Sequence, residues 1–530
     1  MSILFWDKPR YAESHYKFRL PWSPLFHRCP EIIVDAPFQV VPGEALPFWI
    51  AVRDADRFPA HLEKLRLSFR RRNFDGSRAD GASQEPRVFE YKLNISADES
   101  IAFYPVQVTD KLAPGFYEIS AELGIICRGK KEVIRNRNLP GLSKEPLRVQ
   151  VLGEVPPKPA GYIACETHCH THISADPVEF GAFPGVLQKA ARTTGLDAVF
   201  CTDHSYDFAF ESPDYMRPAD GELRYRALRK EIAELPEYPR MIAGEEVSAG
   251  NAEGRNVHLL LPGTSAYIPG LGDCGRNWLR NHPTLPLTEI LPHLGTPAFA
   301  AHPEEQMSAA ERGIFRRGNW SHGDLAAGAP LNVRGMQFWN GSRDAGFTAG
   351  RALWIRELLR GARLLPIGGN DAHGDLNAYT GVKVPLFKLK INRSHIFGYV
   401  RTVIQMPGET AAPAAQDLSS ARSEKEILNA FRGDNLYVTD GPALWWTRAA
   451  GSIAFTAQST ADYGELKAVR IFGARKNGNG EISEKEISVS VAAGTYKLSE
   501  NIPAADYIYL RAECETSQGR FALTSAAFLQ

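Results

Sequence analysis

GYIACETHCHTHISAD, residues 161–176, opens the part of the chain whose reading decides the fold. A short apolar run, Tyr162 to Cys165, leads into His168 and His170. Side chains on a strand point alternately to its two faces. Read as a strand, the run puts His168 and His170 on one face and Cys169 on the other. The same grammar recurs downstream in LDAVFCTDH (196–204), RMIAGEE (240–246), NVHLLLPG (256–263), PAFAAHPE (297–304), GMQFWN (335–340) and LLPIGGNDAH (364–373). Helical patterns lie between them: FPGVLQKAARTTG (183–195), ELRYRALRKEIAEL (222–235), LTEILPHL (287–294) and AGRALWIRELLRG (349–361). In the last, Trp354, Ile355, Leu358 and Leu359 share one face at helical spacing. Strand–helix alternation favours parallel strands, and seven such runs from residue 161 onward predict an α/β barrel. A Ser423-x-x-Glu426 capping box starts a later helix whose apolar face is Ile427, Leu428 and Phe431.

On both sides the pattern changes to strands alone. Residues 1–155 hold short runs rich in Val, Ile, Phe and Tyr, among them 46–54, 64–72, 87–96 and 115–128, punctuated by Gly, Pro and Asp. That spacing predicts an N-terminal β-sandwich of immunoglobulin-like type. Pro156, Pro157 and Pro159 then make a stiff connector and a domain boundary. Residues 443–530 return to strand patterns and predict a small C-terminal β-domain.

The whole chain has 530 residues, which at about 150 per domain suggests roughly three to four domains. Lys+Arg and Asp+Glu are each 61, so neither sign dominates, and the composition offers no nucleic-acid or anionic-membrane footprint. A hydrophobic share of 44% supports a sizeable core, and no apolar run is long enough for a membrane span. The first residues lack a secretory pattern. The seven cysteines are odd in number and scattered, without a Cys-x-x-Cys, which disfavours a disulfide framework or thiolate zinc site and favours the cytoplasm.

Ligand-type residues crowd the ends of the expected barrel strands: His168, His170, His204, His258, His302 and His373, with Asp176, Asp203, Glu246 and Asp371. In a parallel barrel those ends converge on one face. Imidazoles and carboxylates gathered in one cavity, without sulfur, suit divalent Zn, Mn or Fe. They exceed the needs of one ion, so two to three are expected. Neighbouring cations activate water and clamp substrate oxygens, which implies hydrolysis with metal-bound hydroxide as nucleophile. Of the adjacent Glu245 and Glu246 only one can face inward, and the spacing from Gly244 favours Glu246. Asp203 is expected to orient a ligand or close a turn.

Taken in order, HCHTHISAD, CTDH, GEE, NVH, AAHP and NDAH resemble the PHP (polymerase and histidinol phosphatase) superfamily over roughly 161–375, extending to 442. The resemblance implies a distorted (β/α)7 barrel with a trinuclear centre. By it, His168, His170, Glu246 and Asp371 would hold one metal. Glu246 would bridge to a second, held also by His258 and His302. Asp176, His204 and His373 would hold the third, with Asp176 standing where some relatives carry His. The flanking β-regions, with EILNAFRGDNLYVTDGP and RFALTSAAF, look like the carbaryl and methylcarbamate hydrolase-like branch.

Other candidates are weaker in kind. Arg255 suits a substrate anion binder or a solvated loop residue, and His172 a substrate contact or proton donor to the leaving group. Asn340 could orient substrate or cap a turn. His322 falls in a long inter-strand segment, and Trp445 and Trp446 suit packing. No nucleophile elbow or nucleotide-phosphate loop is found. The expectation is a cytoplasmic metal-dependent phosphoesterase acting on a small molecule. The alternatives are a carbamate, ester or amide hydrolase on the same site, and an inactive scaffold or binding protein.

Overall fold

The computed structural model of the chain describes residues 29–74, 77, 85–138, 144–174, 181–211, 217–274, 281–374, 376–377, 381–384, 387–390, 395–408, 422–476 and 482–529. The N-terminal part contains β1 (Glu31–Asp35), β2 (Gln39–Val40), β3 (Leu46–Arg53), β4 (Ala60–Arg72), β5 (Arg87–Ala97), β6 (Ile101–Val108), β7 (Gly115–Cys127), β8 (Lys130–Arg135) and β9 (Leu147–Val151). One sheet runs β1-β3-β6 and the other β2-β9-β7-β4-β5, with β8 on β7. In β4 the inward residues Leu62, Leu65, Leu67 and Phe69 are out of simple alternation. A register shift between Leu62 and Lys64 restores the phase, as a bulge does. Ile32, Phe48, Ile50, Leu67, Ile119 and Leu123 from the two sheets share one core.

The middle part contains β10 (Tyr162–His170), α1 (Pro184–Thr194), β11 (Ala198–His204), α2 (Ser205–Phe208), α3 (Gly221–Ala233), β12 (Arg240–Gly250), β13 (Asn256–Pro262), α4 (Leu287–Ile290), β14 (Ala298–Ala301), α5 (Ala309–Gly313), α6 (His322–Gly328), β15 (Val333–Asn340), α7 (Ala345–Leu359), β16 (Leu365–Gly369) and β17 (Ala372–His373). A small hairpin, β18 (Gly381–Val384) with β19 (Phe387–Lys390), precedes β20 (Arg401–Gln405), α8 (Glu424–Ala430) and β21 (Leu436–Thr439). Local signals act as their chemistry dictates. Pro184 opens α1, and Gly195 closes it with φ 81°, a left-handed cap. Ser423 and Glu426 form the reciprocal cap of α8.

The C-terminal strands are β22 (Ala443–Ala449), β23 (Ser452–Gln458), β24 (Leu466–Lys476), β25 (Ile482–Ile487), β26 (Lys497–Pro503), β27 (Tyr509–Thr516), β28 (Phe521–Thr524) and β29 (Ala527–Phe528). β22-β23-β26 form their own sheet. The rest join the central one, whose order is β16-β15-β14-β13-β12-β11-β10-β20-β21-β28-β27-β24-β25, with β17 on β10 and β29 on β27.

This order overturns the expected distorted (β/α)7 barrel flanked by separate β-domains. Among the described residues strand far outweighs helix, and the main layer is a large mixed sheet. β10, β11 and β12 are parallel, but β13 runs antiparallel to both β12 and β14, and β20 antiparallel to both β10 and β21. The reason is local at β12–β13. The Asn251 side-chain oxygen accepts from the N–H groups of Glu253 and Arg255, turning the chain straight back where a crossover helix was expected. At the other end β28 pairs with β21, Tyr437 opposite Thr524, so the strands after residue 442 extend the same sheet.

Candidate metal centre

The ends of β10 and β11, the middles of β12 and β13 and the residues beyond β14 and β16 meet in one buried cluster. His168 and His170 project from β10 on one face, while Cys169 lies against the carbonyl of Phe200 on the other. His204 and Glu246 are register partners on β11 and β12. His302 follows β14, and Asp371 sits between β16 and β17 with its N–H donated to the His168 carbonyl at 2.7 Å. His302 has φ 25° and Asp371 φ 51°, both in the region that L-residues rarely adopt, and strain of this kind gathers at functional sites. Gly369 makes the close approach possible, since a Cβ there would lie 2.8 Å from the Cβ of His168.

Glu246 is the hub. Its Oε2 faces His204 Nδ1 at 3.0 Å, His168 Nε2 at 3.2 Å and His170 Nε2 at 3.5 Å. Its Oε1 faces His258 Nδ1 at 2.7 Å and His302 Nε2 at 3.0 Å. Asp371 Oδ1 lies 3.0 Å from His170 Nε2 and 3.4 Å from His168 Nε2. The rings of His170 and His373 stack with centroids 3.9 Å apart. Three overlapping groups bring their donor atoms within metal-sharing reach: His168, His170, Glu246 and Asp371; His170, His204 and His373; and His204, Glu246 and His258. These buried groups can bind metal ions. Glu245 turns away, accepting from Ser205 Oγ at 3.0 Å and the Ile268 N–H at 2.9 Å, so Glu246 is the inward member of the pair.

Hydrogen-bond direction tests whether the donors fit cations. An ionised carboxylate only accepts. Asp371 Oδ2 therefore takes an N–H from the Asn340 amide at 3.2 Å. The Asn340 oxygen then accepts from the Gln337 amide at 3.1 Å, and the Gln337 oxygen faces His168 Nδ1 at 2.9 Å. His168 must carry its hydrogen on Nδ1. A second relay does the same for His170, whose Nδ1 lies 3.3 Å from Ser174 Oγ, itself donating to Asp203 Oδ1 at 3.0 Å. The two Nε2 atoms, 3.3 Å apart, then turn lone pairs toward each other and toward two carboxylates. Lone pairs facing lone pairs in a buried site call for a cation between them.

The electrostatics agree. Burial raises the Glu246 carboxyl, but the surrounding rings of His258, His168 and His204 outweigh it and hold the acid well below its usual range. Burial likewise opposes ionisation of Asp371, and His168 and His170 reverse it. Burial pushes His168 down, yet Glu246 and Asp371 lift it to about 9. Burial also lowers His258, and Glu246 with Asp273 carries it to about 10. The cluster holds a strong negative field that protons satisfy when nothing else does.

Several members of the site carry no clear mark in the sequence. Asp273 Oδ2 sits 2.8 Å from His258 Nε2, and Glu305 Oε2 sits 3.1 Å from His302 Nδ1. Arg317 spans the two acids, 3.1 Å from Glu305 Oε2 and 3.6 Å from Asp273 Oδ2. Gln337 is fully buried. His395 Nδ1 lies 2.9 Å from the Asn370 carbonyl and 3.9 Å from Asp371 Oδ2. Gln337 had a signal, a polar residue inside an apolar strand. Asp273, Glu305 and Arg317 lie in irregular segments without periodicity.

Other sequence candidates fall as follows. Asp176 lies outside the described residues. Asp203 accepts from Thr171 N and Thr171 Oγ1 as well as Ser174, closing the turn after β10. Arg255 is exposed on the β12–β13 turn, where its guanidinium meets the Arg312 carbonyl at 3.1 Å and Glu253 at 3.8 Å, and neither partner belongs to the cluster. His172 stacks on Phe183 with centroids 4.4 Å apart, and burial lowers it to about 4, so it is neutral near pH 7. His322 pairs with Glu357 at 2.7 Å. Trp446 packs in the core shared by the central sheet and the C-terminal strands, with Trp445 at its edge.

No family model matches the chain, and no curated protein matches it. Among solved structures it is weakly similar to a glycosyl hydrolase family 2 member from Bacteroides cellulosilyticus DSM 14838, 10% identical over 93% of this chain and 78% of that one, with a TM-score of 0.15. It is also weakly similar to a Paenibacillus sp. cycloisomaltooligosaccharide glucanotransferase complexed with cycloisomaltoheptaose, 8% identical over 94% and 69% of the two chains, with a TM-score of 0.19. Likeness at that level says nothing about what this chain does. Among the described residues no helix is long and apolar enough to cross a membrane.

Proposed function

We propose that the chain is a metal-dependent hydrolase and that its substrate is a small-molecule phosphoester. The observation that carries the reading is the convergence of two tautomer-fixed imidazoles, His168 and His170, on the carboxylates of Glu246 and Asp371. The motif series HCHTHISAD through NDAH, with its resemblance to PHP hydrolases, supports it.

In this reading His168, His170, Glu246 and Asp371 hold one cation. Glu246 would also help to hold a second, with His258 and His302. His204 and His373 serve a third, with Asp176 by resemblance. Nitrogen and oxygen donors without sulfur suit Zn, Mn or Fe. Bound divalent ions supply Lewis acidity and make water more acidic, and clusters of them suit the several oxygens of a phosphoryl group. The protein's own part is positional. The Gln337–Asn340 and Ser174–Asp203 relays fix two rings, while Asp273 and Glu305 hold His258 and His302 from behind. His172, lowered to about 4 by burial, holds no proton to donate to a leaving group near pH 7, so it does not fill the donor role. Seven free cysteines fit a reducing compartment, and we infer the cytoplasm.

The test is a hydrolase screen of metal-reconstituted protein with p-nitrophenyl phosphate, a phosphate bis-ester, simple carboxyl esters and an aryl carbamate. Turnover of a phosphoester that disappears in folded His168→Ala and Asp371→Ala proteins is the expected result. Turnover of the carbamate or carboxyl ester alone moves the substrate class. No turnover with Zn, Mn or Fe, or full activity in either variant, sinks the proposal.

A further inference from the structure

A cavity of about 530 Å3 lies where the N-terminal sheets, the central sheet and the C-terminal strands meet, within the range of small-molecule sites. Phe38, Gln39 and Val41 line it from the N-terminal side, Arg401 and Val403 from β20, and Tyr463 from the turn before β24. None of the metal-cluster residues lines it.

The feature that needs explaining is Arg401. On β20 its neighbour Thr402 turns the other way, donating Oγ1 to the Gly368 carbonyl at 2.8 Å on the strand behind Asp371. Arg401 therefore faces out of the sheet and into the cavity, with only 6% of its surface exposed. Its Nε donates to the Gly398 carbonyl at 3.0 Å. Its two terminal amines meet no acceptor among the described residues. A buried guanidinium is costly unless an acceptor answers it. Nearby charges are spoken for: Lys158 pairs with Asp197, Arg192 pairs with Glu44, and Asp440 Oδ1 accepts the Phe521 N–H at 2.6 Å.

We propose that this cavity is a ligand site separate from the metal cluster, taking a small organic monocarboxylate with a flat apolar body whose carboxylate bridges both terminal amines of Arg401. The paired amines of a guanidinium match a two-oxygen anion in one plane. With Lys158 and Arg192 already paired to Asp197 and Glu44, Arg401 is the lining cation left to answer a ligand, which suits a singly charged anion better than a multiply charged phosphate. The rings of Phe38 and Tyr399, with centroids 5.5 Å apart, and the side chains of Val41, Pro156 and Val403 favour an apolar body. The proposal does not depend on the metal reading.

Calorimetric titration of the full chain tests it, with benzoate, phenylacetate and cyclohexanecarboxylate as probes, benzamide as the neutral match and inorganic phosphate as the competing anion. At least one carboxylate is expected to bind saturably at one per chain, roughly tenfold or more tighter than benzamide and phosphate. Binding should survive chelation of metals and the His168→Ala change. It should fall roughly tenfold or more in Arg401→Gln and in Val41→Phe, which fills the cavity and keeps the guanidinium. If Arg401→Gln does not fold, Val41→Phe decides. No saturable binding by any of the carboxylates overturns the proposal. So does benzamide or phosphate binding as well as the acids, undiminished binding in a folded variant, or loss of binding on chelation.

Discussion

Replacing Gln337 with Leu removes one oxygen and one amide from the wall of the cluster at nearly constant volume. In the native site the Gln337 oxygen, 2.9 Å from His168 Nδ1, keeps the ring hydrogen on the side away from Glu246 and Asp371. Without it a buried Nδ1–H has no acceptor, at a cost of about 1–3 kcal/mol. The ring escapes by moving its hydrogen to Nε2, where Glu246 Oε2 at 3.2 Å and Asp371 Oδ1 at 3.4 Å accept it. A cation must then displace that hydrogen and restore the orphaned N–H, so the same about 1–3 kcal/mol is charged to binding. The expected loss in affinity is roughly 5- to 150-fold, in line with the about 10- to 100-fold known for outer partners of metal-bound histidines. The assay is a Zn2+ titration against a chromophoric chelator on metal-free wild type and Gln337→Leu. Nitrogen-15 spectra of the histidine rings report the tautomer independently. A folded Gln337→Leu protein that binds Zn2+ within about twofold of wild type, its His168 tautomer unchanged, would refute the relay.

Glu246→Gln should lower the metal bound per chain by at least one equivalent in elemental analysis of dialysed protein, because both oxygens of Glu246 face imidazoles. An unchanged content would remove Glu246 as a shared ligand. Chelation should lower the melting temperature of wild type, since a ligand at about 1,000 times its Kd adds about 4 kcal/mol of stability. An unmoved transition argues for an empty site. Burial lifts Asp35 from 3.8 to about 6, against the pull of the Leu376 and Ala36 N–H groups. A raised folded value means that this group's contribution is complete below about pH 3.8 and is lost as pH rises through about 6. Relative to Asp35→Asn, which cannot titrate, wild type should therefore lose up to about 3 kcal/mol between pH 4 and pH 7 in urea titrations. A flat difference would contradict the shift.

The gathering of histidines and carboxylates could be read from the sequence because strand alternation is a local property. His168 and His170 need only a period of two to share a face, while the spacing from Gly244 favoured Glu246 without deciding between it and Glu245, which the hydrogen bonds of Glu245 do. Direction was not legible. NVHLLLPG is largely apolar after His258, and an apolar run reads the same whichever way it crosses a sheet. Only the Asn251 turn makes β13 antiparallel, and one side-chain hydrogen-bond pattern leaves no trace in hydrophobic periodicity. The partners behind the ligands were hidden for another reason. Asp273, Glu305 and Arg317 come from irregular stretches, and their meeting depends on how distant segments fold over β13 and β14. Arg255 stands out for its nearness in sequence to His258, yet a tight turn sends the two in different directions.

Because β28 hydrogen-bonds to β21, and β21 to β20 beside β10, the strand bearing His168 and His170 is braced by residues near the very end of the chain. During synthesis His168 and His170 leave the ribosome long before β28 does. The site must wait, unfinished, for the final strands. Cleaving the tail at residue 442 would strip β21 of its neighbour β28 and leave a raw strand edge two places from the strand that carries His168 and His170, an invitation to pair with another molecule.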